Sequence, residues 1–280
     1  MTSRRSVLQM DIRPLTTYEE CRACEDVQAL AWGTPERTRT AAHLLLATIH
    51  AGGIVSGAIT PEGRVIGYVY SFPAQAQGCI ADDLIALQGH PFYHWSHQMA
   101  VIPEYAGDGL ATRLKLHQAD RVRAQGLHLI MWTFSPMMSV NAHLNLTKLG
   151  ALTRTYRRSA YGPMTGINAG LPSDRFDAEW WLNRDTPSPA VTLTAWRKAG
   201  AILLNPGGET TLPLPGSGPL LIVIPRDFNK LKTEDKARAL AWQMTVRASM
   251  EAAFDKGYAA YHYLLEGDVG YYVLLKDRSR

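Results

Sequence analysis

The sequence predicts an α/β (α+β) fold, in which an N-terminal α/β domain is followed by a C-terminal β-α-β-β unit. Runs rich in β-branched and aromatic residues alternate with segments of helical period through residues 1–182. Residues 183–217 are rich in Pro, Gly and Thr, which is typical of connecting structure. Residues 218–280 then carry the patterns of an apolar strand, a long helix and two more strands. We therefore predict a domain at 1–182, a connecting segment at 183–217 and a C-terminal unit at 218–280.

The elements of the N-terminal domain follow from period, caps and glycine stops. The helix Thr17–Trp32 begins at a capping residue and has Glu19 and Glu20 in its first turn. The runs Ile54–Ile59 and Val65–Phe72 flank the turn sequence TPEGR and predict a hairpin. Residues 73–91 lack a clear period and predict a loop with a short helical piece. The other predicted strands are Met10–Leu15, Phe92–Ile102, Leu127–Phe134, Leu152–Tyr161 and Phe176–Leu182, and the other predicted helices are 37–51, Leu110–Gln125 and Ser139–Leu149.

The remainder of the chain has fewer clear elements until residue 220. The connecting segment holds weak strand patterns around Val191–Trp196 and Ala201–Leu204. After it, the predicted elements are a strand at Leu220–Ile224, a helix at Thr233–Lys256 that Gly257 ends, and strands at Tyr258–Leu265 and Tyr271–Leu275.

Composition and length indicate a globular protein. The chain has 280 residues, of which 46% are hydrophobic and 19% charged, so it can bury a large core. Its apolar runs, such as Leu220–Pro225, are too short to cross a bilayer, and no signal-peptide pattern follows Arg4 and Arg5. We therefore expect a cytoplasmic protein with no membrane partner.

Charge and cysteine content exclude two further classes. The formal net charge is +4 and the Lys and Arg residues are scattered, so we expect no nucleic-acid partner. The three cysteines, Cys21, Cys24 and Cys79, are too few for a disulfide framework. Cys21 and Cys24 form a single C-x-x-C within a predicted helix, which favours two partly buried thiols over a metal or redox site. We therefore expect no metal.

The most informative segment is a strand, a glycine turn and a helix, with the sequence HQMAVIPEYAGDGLATRLKLHQADRVRAQG. The first N–H groups of a helix have no internal partner, and the helix dipole favours negative charge there. Gly107 and Gly109 lack Cβ atoms, so a phosphate can approach the backbone closely. The segment therefore predicts a pyrophosphate cradle.

Two nucleotide motifs fail at this loop. A dinucleotide fingerprint needs a third glycine, where this chain has Thr112, and an acidic residue at the end of a following strand. A P-loop needs G-K-[ST] after the loop, where this chain reads G-L-A. From the residues alone, an ordinary strand-to-helix turn stays open beside the phosphate site.

The loop resembles the central motif of the GNAT acyltransferase superfamily, [RQ]-x-x-G-x-[GA], which follows a strand that usually ends in V-x-P. Here V-x-P is 101–103, and the motif falls on 106–111. Ala106 replaces the usual Arg or Gln, so the support that this side chain gives the loop is lost. Asp108 places a negative charge where a basic residue is common. The backbone donors are unaffected by either change.

A second element, SVNAHLNLTKLGA, is similar to the GNAT pattern N-x-x-A-x-x-x-Y-x-K-x-G-F. Aligned on Gly150, it places Lys148 in register and Leu146 at the Tyr position. That tyrosine usually protonates the departing thiolate, so its role is open here. Asn141 and Asn145, at i and i+4, are exposed or capping amides on one reading and coenzyme contacts on the other.

The segments SHQMAVIPEY, WTFSP, NAHLNLTKLGA and GLPSDRFDAEWWL together resemble a poorly characterised family of predicted acetyltransferases with a C-terminal extension. That family usually reads WTFDP and has Arg in the glycine loop, where this chain has Ser135 and Ala106. Some of its relatives occur in N-succinyl amino acid metabolism. The resemblance thus implies acetyl-CoA or another acyl-CoA, with succinyl-CoA included, as co-substrate.

The resemblance also implies a fold and a coenzyme site. The fold is a mixed, mostly antiparallel sheet flanked by helices, in which the strand ending near Val101 splays from the strand ending near Phe134. The pantetheine arm enters that gap and pairs with backbone groups of Met99 and Val101. The residues that the resemblance assigns to the coenzyme are Met99, Ala100, Val101, Ala106, Gly107, Asp108, Gly109, Leu110, Ala111, Thr112, Asn141, Asn145 and Lys148.

Direct acyl transfer needs a base for the incoming ammonium and an acid for the thiolate. His97 is the leading base, because it lies on the strand beside the thioester and has an ordinary pKa near 6.5. Alternation puts His94 on the opposite face. Tyr156 and Tyr161 are candidates for the missing acid. On the other reading, which is the commoner one for such residues, each of these side chains is a structural group of its strand.

The run SDRFDAEWW supplies candidate substrate contacts. Arg175 could bind a carboxylate and Glu179 an amine, or the two could form a structural salt bridge. We expect an acyl-CoA-dependent N-acyltransferase that acts on a small-molecule amine, with an amino acid as one option. The alternative is a non-catalytic acyl-CoA-binding or sensing protein, which Leu146 and Ala106 suggest. The sequence leaves a homodimer open.

Overall fold

The computed structural model describes residues 10–33, 35–163, 169–184 and 192–277. The chain divides into two compact units, one of Met1–Trp132 with Trp181–Asn183, the other of Thr133–Trp180 with Arg184–Arg280. Each unit is a sheet flanked by helices, and antiparallel pairing dominates in both, which confirms the predicted α/β fold. The division into domains at 182 and 217 stays a prediction.

The first unit is built on strands in the order β1-β2-β3-β4-β5. The pairs β1/β2, β2/β3 and β3/β4 are antiparallel, whereas β4/β5 is parallel. The strands are β1 (Asp11–Pro14), β2 (Ile54–Ile59), β3 (Val65–Gln75), β4 (Phe92–Val101) and β5 (Leu129–Phe134). The predicted hairpin of β2 and β3 is confirmed, and β3 runs three residues beyond the predicted Phe72.

The described part of the first unit has four α-helices. They are α1 (Tyr18–Trp32), α2 (Ala42–His50), α3 (Gly78–Gln88) and α4 (Leu110–Ala124). Thr17 caps α1 as predicted and forms a capping box with Glu20. The prediction of one helix over 37–51 is wrong at its start, because the Gln28 side chain bonds both backbone groups of Thr40 and holds it outside the helix. Glu25 then accepts the Ala42 N–H, which opens α2.

The helices cover both faces of this sheet. On one face, Thr48 of α2 bonds the Tyr70 hydroxyl of β3 at 3.2 Å. On the other, Gly67 of β3 lies so close to Leu114 of α4 that an added Cβ would be 3.4 Å from its side chain. The core between these layers is aliphatic and aromatic and includes Leu15, Leu45, Ile66, Tyr68 and Leu114.

The second unit has strands in the order β7-β6-β10-β11-β9-β8. Its pairs are antiparallel except for β8/β9. The strands are β6 (Leu152–Arg157), β7 (Arg175–Trp181), β8 (Ile202–Leu203), β9 (Leu220–Pro225), β10 (Tyr258–Glu266) and β11 (Val269–Lys276). Its helices are α5 (Ser139–Ala142), α6 (Leu193–Lys198), α7 (Phe228–Glu234) and α8 (Lys236–Asp255).

Two predictions for this unit are wrong in detail. The weak strand pattern at 191–196 falls partly outside the described residues, and its described part lies in α6, which Thr192 caps by accepting the Ala195 N–H. The predicted helix Thr233–Lys256 is interrupted at Asp235, whose backbone is extended. The Asp235 side chain accepts the Arg238 N–H at 2.9 Å, so it caps a new helix.

The segment predicted as one helix from Ser139 to Leu149 changes type midway. A turn of α-helix is followed by π-helix over His143–Lys148, and Leu149 N–H bonds Leu144 O at 3.0 Å. Thr147 in this wider turn bonds a strand backbone. Its hydroxyl donates to Tyr263 O at 2.6 Å and accepts from Tyr263 N–H at 3.3 Å. One side chain thus satisfies both peptide groups of Tyr263.

The core of the second unit centres on Phe176 of β7, which is wholly buried. Its ring lies 5.4–5.8 Å from four other aromatic rings, in tilted or edge-on geometry. These belong to Phe134, Tyr156, Phe254 and Tyr272. Strands β5, β6 and β11 and helix α8 therefore meet at one side chain.

We expect Thr147→Val to lower the free energy of unfolding by about 1–3 kcal/mol, because it leaves the buried Tyr263 peptide unsatisfied at nearly constant volume. Thr153→Val is the matched control, since the Thr153 hydroxyl is buried without a hydrogen-bond partner among the described residues and its loss should be neutral or stabilising. Urea denaturation of both variants measures the difference. Equal effects would contradict a role for the Thr147 hydroxyl.

Candidate functional site

The glycine loop needs glycine for backbone conformation rather than for space. Gly107 has φ +93° and Gly109 has φ +86°, both in the left-handed region. A Cβ added at either residue would meet no atom within 4 Å. The loop therefore lies open on the side where these side chains would project.

Helix α4 begins directly at this loop with unpaired backbone donors. Its first backbone hydrogen bond runs from Arg113 N–H to Gly109 O at 3.1 Å, and no side chain caps the helix. Within the described chain, the N–H groups of Leu110, Ala111 and Thr112 have no protein acceptor. The predicted anion cradle is therefore present as geometry. Ala106 is exposed, and Asp108 is half-buried beside these donors.

Strand β4 has an open edge next to the loop. Among the described residues of the first unit, its parallel pairs with β5 are His94–Ile130 and Trp95–Met131, and β4 continues past them to Val101. Ile102 N–H bonds Ile66 O on the β3 side at 2.9 Å. Because backbone groups alternate sides along an antiparallel strand, those of Met99 and Val101 point away from β3. These are the two residues predicted to pair with pantetheine. Ala100 between them is buried.

His97 forms a bulge in β4. Gln98 pairs with Tyr70 and Ser96 with Ser71, so His97 is the extra residue between them. Its ring packs on Tyr70 and Phe72 at centroid distances of 5.6 and 6.1 Å and remains exposed. Desolvation by these neighbours lowers the pKa of His97 below its usual value. The ring is therefore largely neutral at pH 7 and can accept a proton.

His94 has a different environment from His97. It is wholly buried and bonds Ser71 Oγ at 3.0 Å and Gln125 Oε1 at 2.6 Å. Burial lowers its pKa, and its two ring nitrogens are both occupied. His94 is a structural histidine that joins β3 to the end of α4.

A polar group beside the bulge was not among the predicted site residues. Gln98 Oε1 accepts hydrogen bonds from the Tyr68 hydroxyl at 2.8 Å and from Thr40 Oγ1 at 2.9 Å. Gln98 shares its sheet face with its pair partner Tyr70, on which His97 packs. Strand alternation alone could not predict the face on which Gln98 lies, because the bulge shifts the alternation of side chains by one residue after Ser96.

The predicted coenzyme residues of the second unit lie on the mixed helix. Asn141 and Lys148 are exposed, whereas Asn145 is only 4% exposed. The change from α to π geometry between the two asparagines therefore gives them different environments. Leu146, which stands at the usual tyrosine position, is buried and cannot supply a proton. Their coenzyme roles stay predictions.

The two tyrosine candidates differ in accessibility. The Tyr156 hydroxyl donates to Asp174 Oδ2 at 2.7 Å, and burial beside this carboxylate raises its pKa. Asp174 also binds Arg247 through both oxygens. Tyr161 is 57% exposed and its hydroxyl lies 2.7 Å from Thr133 Oγ1. Tyr161 is thus the solvent-accessible tyrosine of the two.

Arg175 and Glu179 are not brought together. Glu179 is 1% exposed and binds the Arg154 guanidinium through both oxygens, at 2.9 and 3.0 Å. Asp277 binds the same guanidinium at 2.6 Å. Arg175 lies instead against Tyr161, with its Cζ atom 5.1 Å from the ring centroid. Of the two predicted substrate residues, Glu179 is therefore held in an ion pair, and the substrate role of Arg175 stays a prediction.

Residues 19–150 match the model of the acetyltransferase (GNAT) family. These residues form a GNAT acetyltransferase domain. The match extends from α1 to the end of the π-helical segment. It therefore includes the glycine loop, the β4 bulge and the helical segment that carries Asn141, Asn145 and Lys148. The predicted family is confirmed.

Several solved structures of acetyltransferases are similar to this chain. NAA60 of Arabidopsis thaliana in complex with acetyl-CoA has a TM-score of 0.50 and 12% identity, over 61% of this chain and 99% of that one. The polyamine N-acetyltransferase of Drosophila melanogaster has a TM-score of 0.45 and 16% identity, over 62% and 100%. The ribosomal-protein-S18-alanine N-acetyltransferase of Escherichia coli has 0.46 and 16%, over 66% and 99%. No curated protein sequence matches the chain.

In the described residues 10–33, 35–163, 169–184 and 192–277, no three His, Cys, Asp or Glu side chains are grouped so that they could hold a metal ion. Over the same ranges, no helix has the length and apolar character needed to cross a membrane.

The acetyltransferase domain also contains a buried lysine that sequence reasoning missed. Lys115 of α4 is 3% exposed, and its ammonium donates to Ser96 Oγ at 2.8 Å and to Gln118 Oε1 at 3.1 Å. It lies 3.9 Å from the centroid of the Trp132 ring. Burial lowers the pKa of Lys115 to about 7. The sequence indicates this buried lysine only through its position on the face of α4 that packs into the core.

We expect Lys115→Met to be more stable than the wild type at pH 7, by about 1.4 kcal/mol per unit of pKa shift that it removes. The unfolded lysine has a pKa near 10.4, so between pH 7 and 10 the unfolded chain binds more protons and wild-type stability rises with pH. The variant's advantage should therefore shrink toward pH 10. Ser96 and Gln118 remain bonded to each other at 3.2 Å.

Urea denaturation at several pH values checks this prediction. Lys198→Met, at an exposed position of α6, is the control and should show no such trend. A difference between Lys115→Met and wild type that stays constant from pH 7 to 10 would show that Lys115 keeps its ordinary pKa.

Proposed function

We propose that the protein transfers an acyl group from acetyl- or succinyl-CoA directly to the amine of a small molecule, with an amino acid as the leading acceptor class. The observation that carries this proposal is the continuity of the glycine loop with the open edge of β4. Three free N–H groups at α4 and the outward backbone of Met99 and Val101 lie on consecutive elements of one unit. An extended chain that ends in a pyrophosphate fits both.

The chemistry needs no metal and no covalent enzyme intermediate. The acceptor arrives as an ammonium, whose pKa is near 10, and must lose a proton before it attacks the thioester carbonyl. His97 is neutral, exposed and on the bulge of β4, so it takes this proton directly or through a water molecule. A backbone N–H on the open edge of β4 would stabilise the oxyanion, and such a donor contributes about 3–4 kcal/mol in other enzymes.

The departing thiolate needs a proton donor other than the residue at position 146. Tyr161 supplies a phenol that is exposed and oriented by Thr133. Tyr156 is unsuited to this step because its proton is held by the buried Asp174 carboxylate. His97 is therefore the proposed base, and Tyr161 stays the candidate for the acid on its accessibility alone.

A coenzyme-binding protein without turnover is the competing function, and Leu146 favours it because a buried leucine replaces the usual acid. Thiol release separates the two functions. The purified protein is incubated with acetyl-CoA or succinyl-CoA and a panel of amino acids and amines. Sustained release of coenzyme A supports the transferase, whereas tight binding of both coenzymes without release over the panel would support a sensor.

We expect Gly109→Ala to weaken acetyl-CoA binding by about 10- to 100-fold, because a residue with a Cβ resists φ +86° and displaces the first donors of α4. Gly63→Ala is the matched control, since Gly63 has φ +87° and equally open space but lies in the β2–β3 turn. Calorimetric titration with acetyl-CoA measures both. Equal Kd values for the two variants would place the coenzyme elsewhere.

We expect His97→Gln to lower kcat/KM by about 100- to 10,000-fold while acetyl-CoA binding is retained. In the wild type, kcat/KM should fall only when the pH drops below the lowered pKa of His97, and this limb should disappear in the variant. His50→Gln, at the exposed end of α2, is the control. An unchanged pH profile in His97→Gln would exclude His97 as the base.

A further inference from the structure

The turn at 158–161, directly after β6, is anchored by one buried carboxylate. Asp174 is 1% exposed and binds both Arg247 and the Tyr156 hydroxyl. It also accepts the Ser159 N–H at 3.0 Å. Ser159 has φ +47°, a left-handed conformation that non-glycine residues rarely adopt. The turn thus keeps a strained backbone because Asp174 fixes it, which is common where a site must be preorganised.

This fixed turn presents Tyr161 at a defined position. Its N–H bonds Ser173 Oγ at 3.0 Å, and the preceding Ala160 N–H bonds Ser173 O at 3.1 Å. At its other end, the Tyr161 hydroxyl bonds Thr133 Oγ1. Tyr161 is thus bonded through both its backbone and its hydroxyl. More than half of it is exposed to solvent, so it belongs to the surface and not to the core.

Arg175 lies against that ring and, among the described residues, donates a hydrogen bond to one backbone carbonyl. Its Nη1 donates to Asp174 O at 2.8 Å, and its Cζ lies near the Tyr161 ring. Among the described residues, no carboxylate forms an ion pair with it. The other arginines around this turn are each paired with a carboxylate: Arg154, Arg157, Arg158 and Arg247. Arg175 is half-buried, so leaving its remaining N–H groups without an acceptor is costly.

We propose that Arg175, Tyr161 and Thr133 form a subsite that binds a carboxylate of one of the two reactants. The guanidinium offers a planar pair of donors that matches a carboxylate, and it lies over the Tyr161 ring, whose hydroxyl Thr133 holds in place. One cation balances the single charge of a carboxylate, whereas a phosphate monoester carries nearly two charges. This proposal rests on the proposed function, because it names the reactant group that this acyltransferase recognises.

The carboxylate has two chemical sources, which the same subsite could serve. An amino acid acceptor carries one beside its amine, and a succinyl donor carries one at the end of its acyl group. The two sources predict different kinetics, since the first depends on the acceptor used and the second on the coenzyme used.

The experiment crosses donors with acceptors in the wild type and in Arg175→Gln. Acetyl-CoA and succinyl-CoA are each assayed with L-phenylalanine, phenethylamine, L-lysine and cadaverine. We expect Arg175→Gln to raise KM about 10- to 100-fold for the carboxylate-bearing reactant and to change KM less than about two-fold for reactants without one. Arg175→Lys keeps the charge without the planar fork and should recover part of the loss. Arg158→Gln, an exposed arginine of the same turn, is the control.

The results distinguish the two sources of the carboxylate, and they distinguish failure of the subsite from failure of the proposed function. A KM effect that follows the acceptor assigns the carboxylate to the amino acid, and one that follows the coenzyme assigns it to the acyl group. Equal losses for all reactants in both Arg175 variants would overturn the subsite while the acyltransferase stands. Absence of turnover in the wild type with every pair would count against the proposed function instead.

A labelling experiment tests the subsite without turnover. Phenylglyoxal modifies accessible arginines, and peptide mass spectrometry reports the modification of Arg175 itself. We expect L-phenylalanine or succinate to protect Arg175, while phenethylamine does not. Equal protection by inorganic phosphate, or no protection by either carboxylate, would contradict a carboxylate subsite.

Discussion

The arrangement of the acetyltransferase domain depends on the ladder between β3 and β4 and on the one residue that interrupts it. Before the bulge, Ser96 faces α4 and its lysine. After it, Gln98 faces Tyr68 and Tyr70, and the backbone of Met99 and Val101 faces the open edge. His97, the extra residue, is thereby exposed without breaking the strand. A straight strand could not supply a base, an open edge and a continuous core at once.

Local signals allowed much of this to be predicted from the sequence. Thr17 and Glu20 cap α1, the TPEGR turn joins β2 to β3, and Gly109 opens α4, because each depends on residues close in sequence. The glycine loop and the alternating backbone of β4 were predictable for the same reason. The family resemblance added the expectation of a splayed strand pair, and the GNAT match confirms the family.

The features that sequence reasoning missed depend on partners far along the chain. Glu179 was considered with Arg175, four residues away, but binds Arg154 and thereby Asp277. The helix after Ser139 becomes π-helical where Thr147 meets the Tyr263 peptide, which lies over a hundred residues later. The Lys115 ammonium bonds Ser96 only because the β4 bulge and α4 are packed together. No period or spacing encodes such pairings.

The anchoring of Asp174 has a consequence for modularity. Its counterion, Arg247, and two of the rings around Phe176 come from the region beyond residue 217, outside the segment that matches the family. A chain that ended at residue 217 would lose both the charge that neutralises Asp174 and two of the four rings around Phe176. The C-terminal extension is therefore an integral scaffold rather than a removable appendage. Gene fusions or truncations that separate it should be rare among proteins that keep this turn.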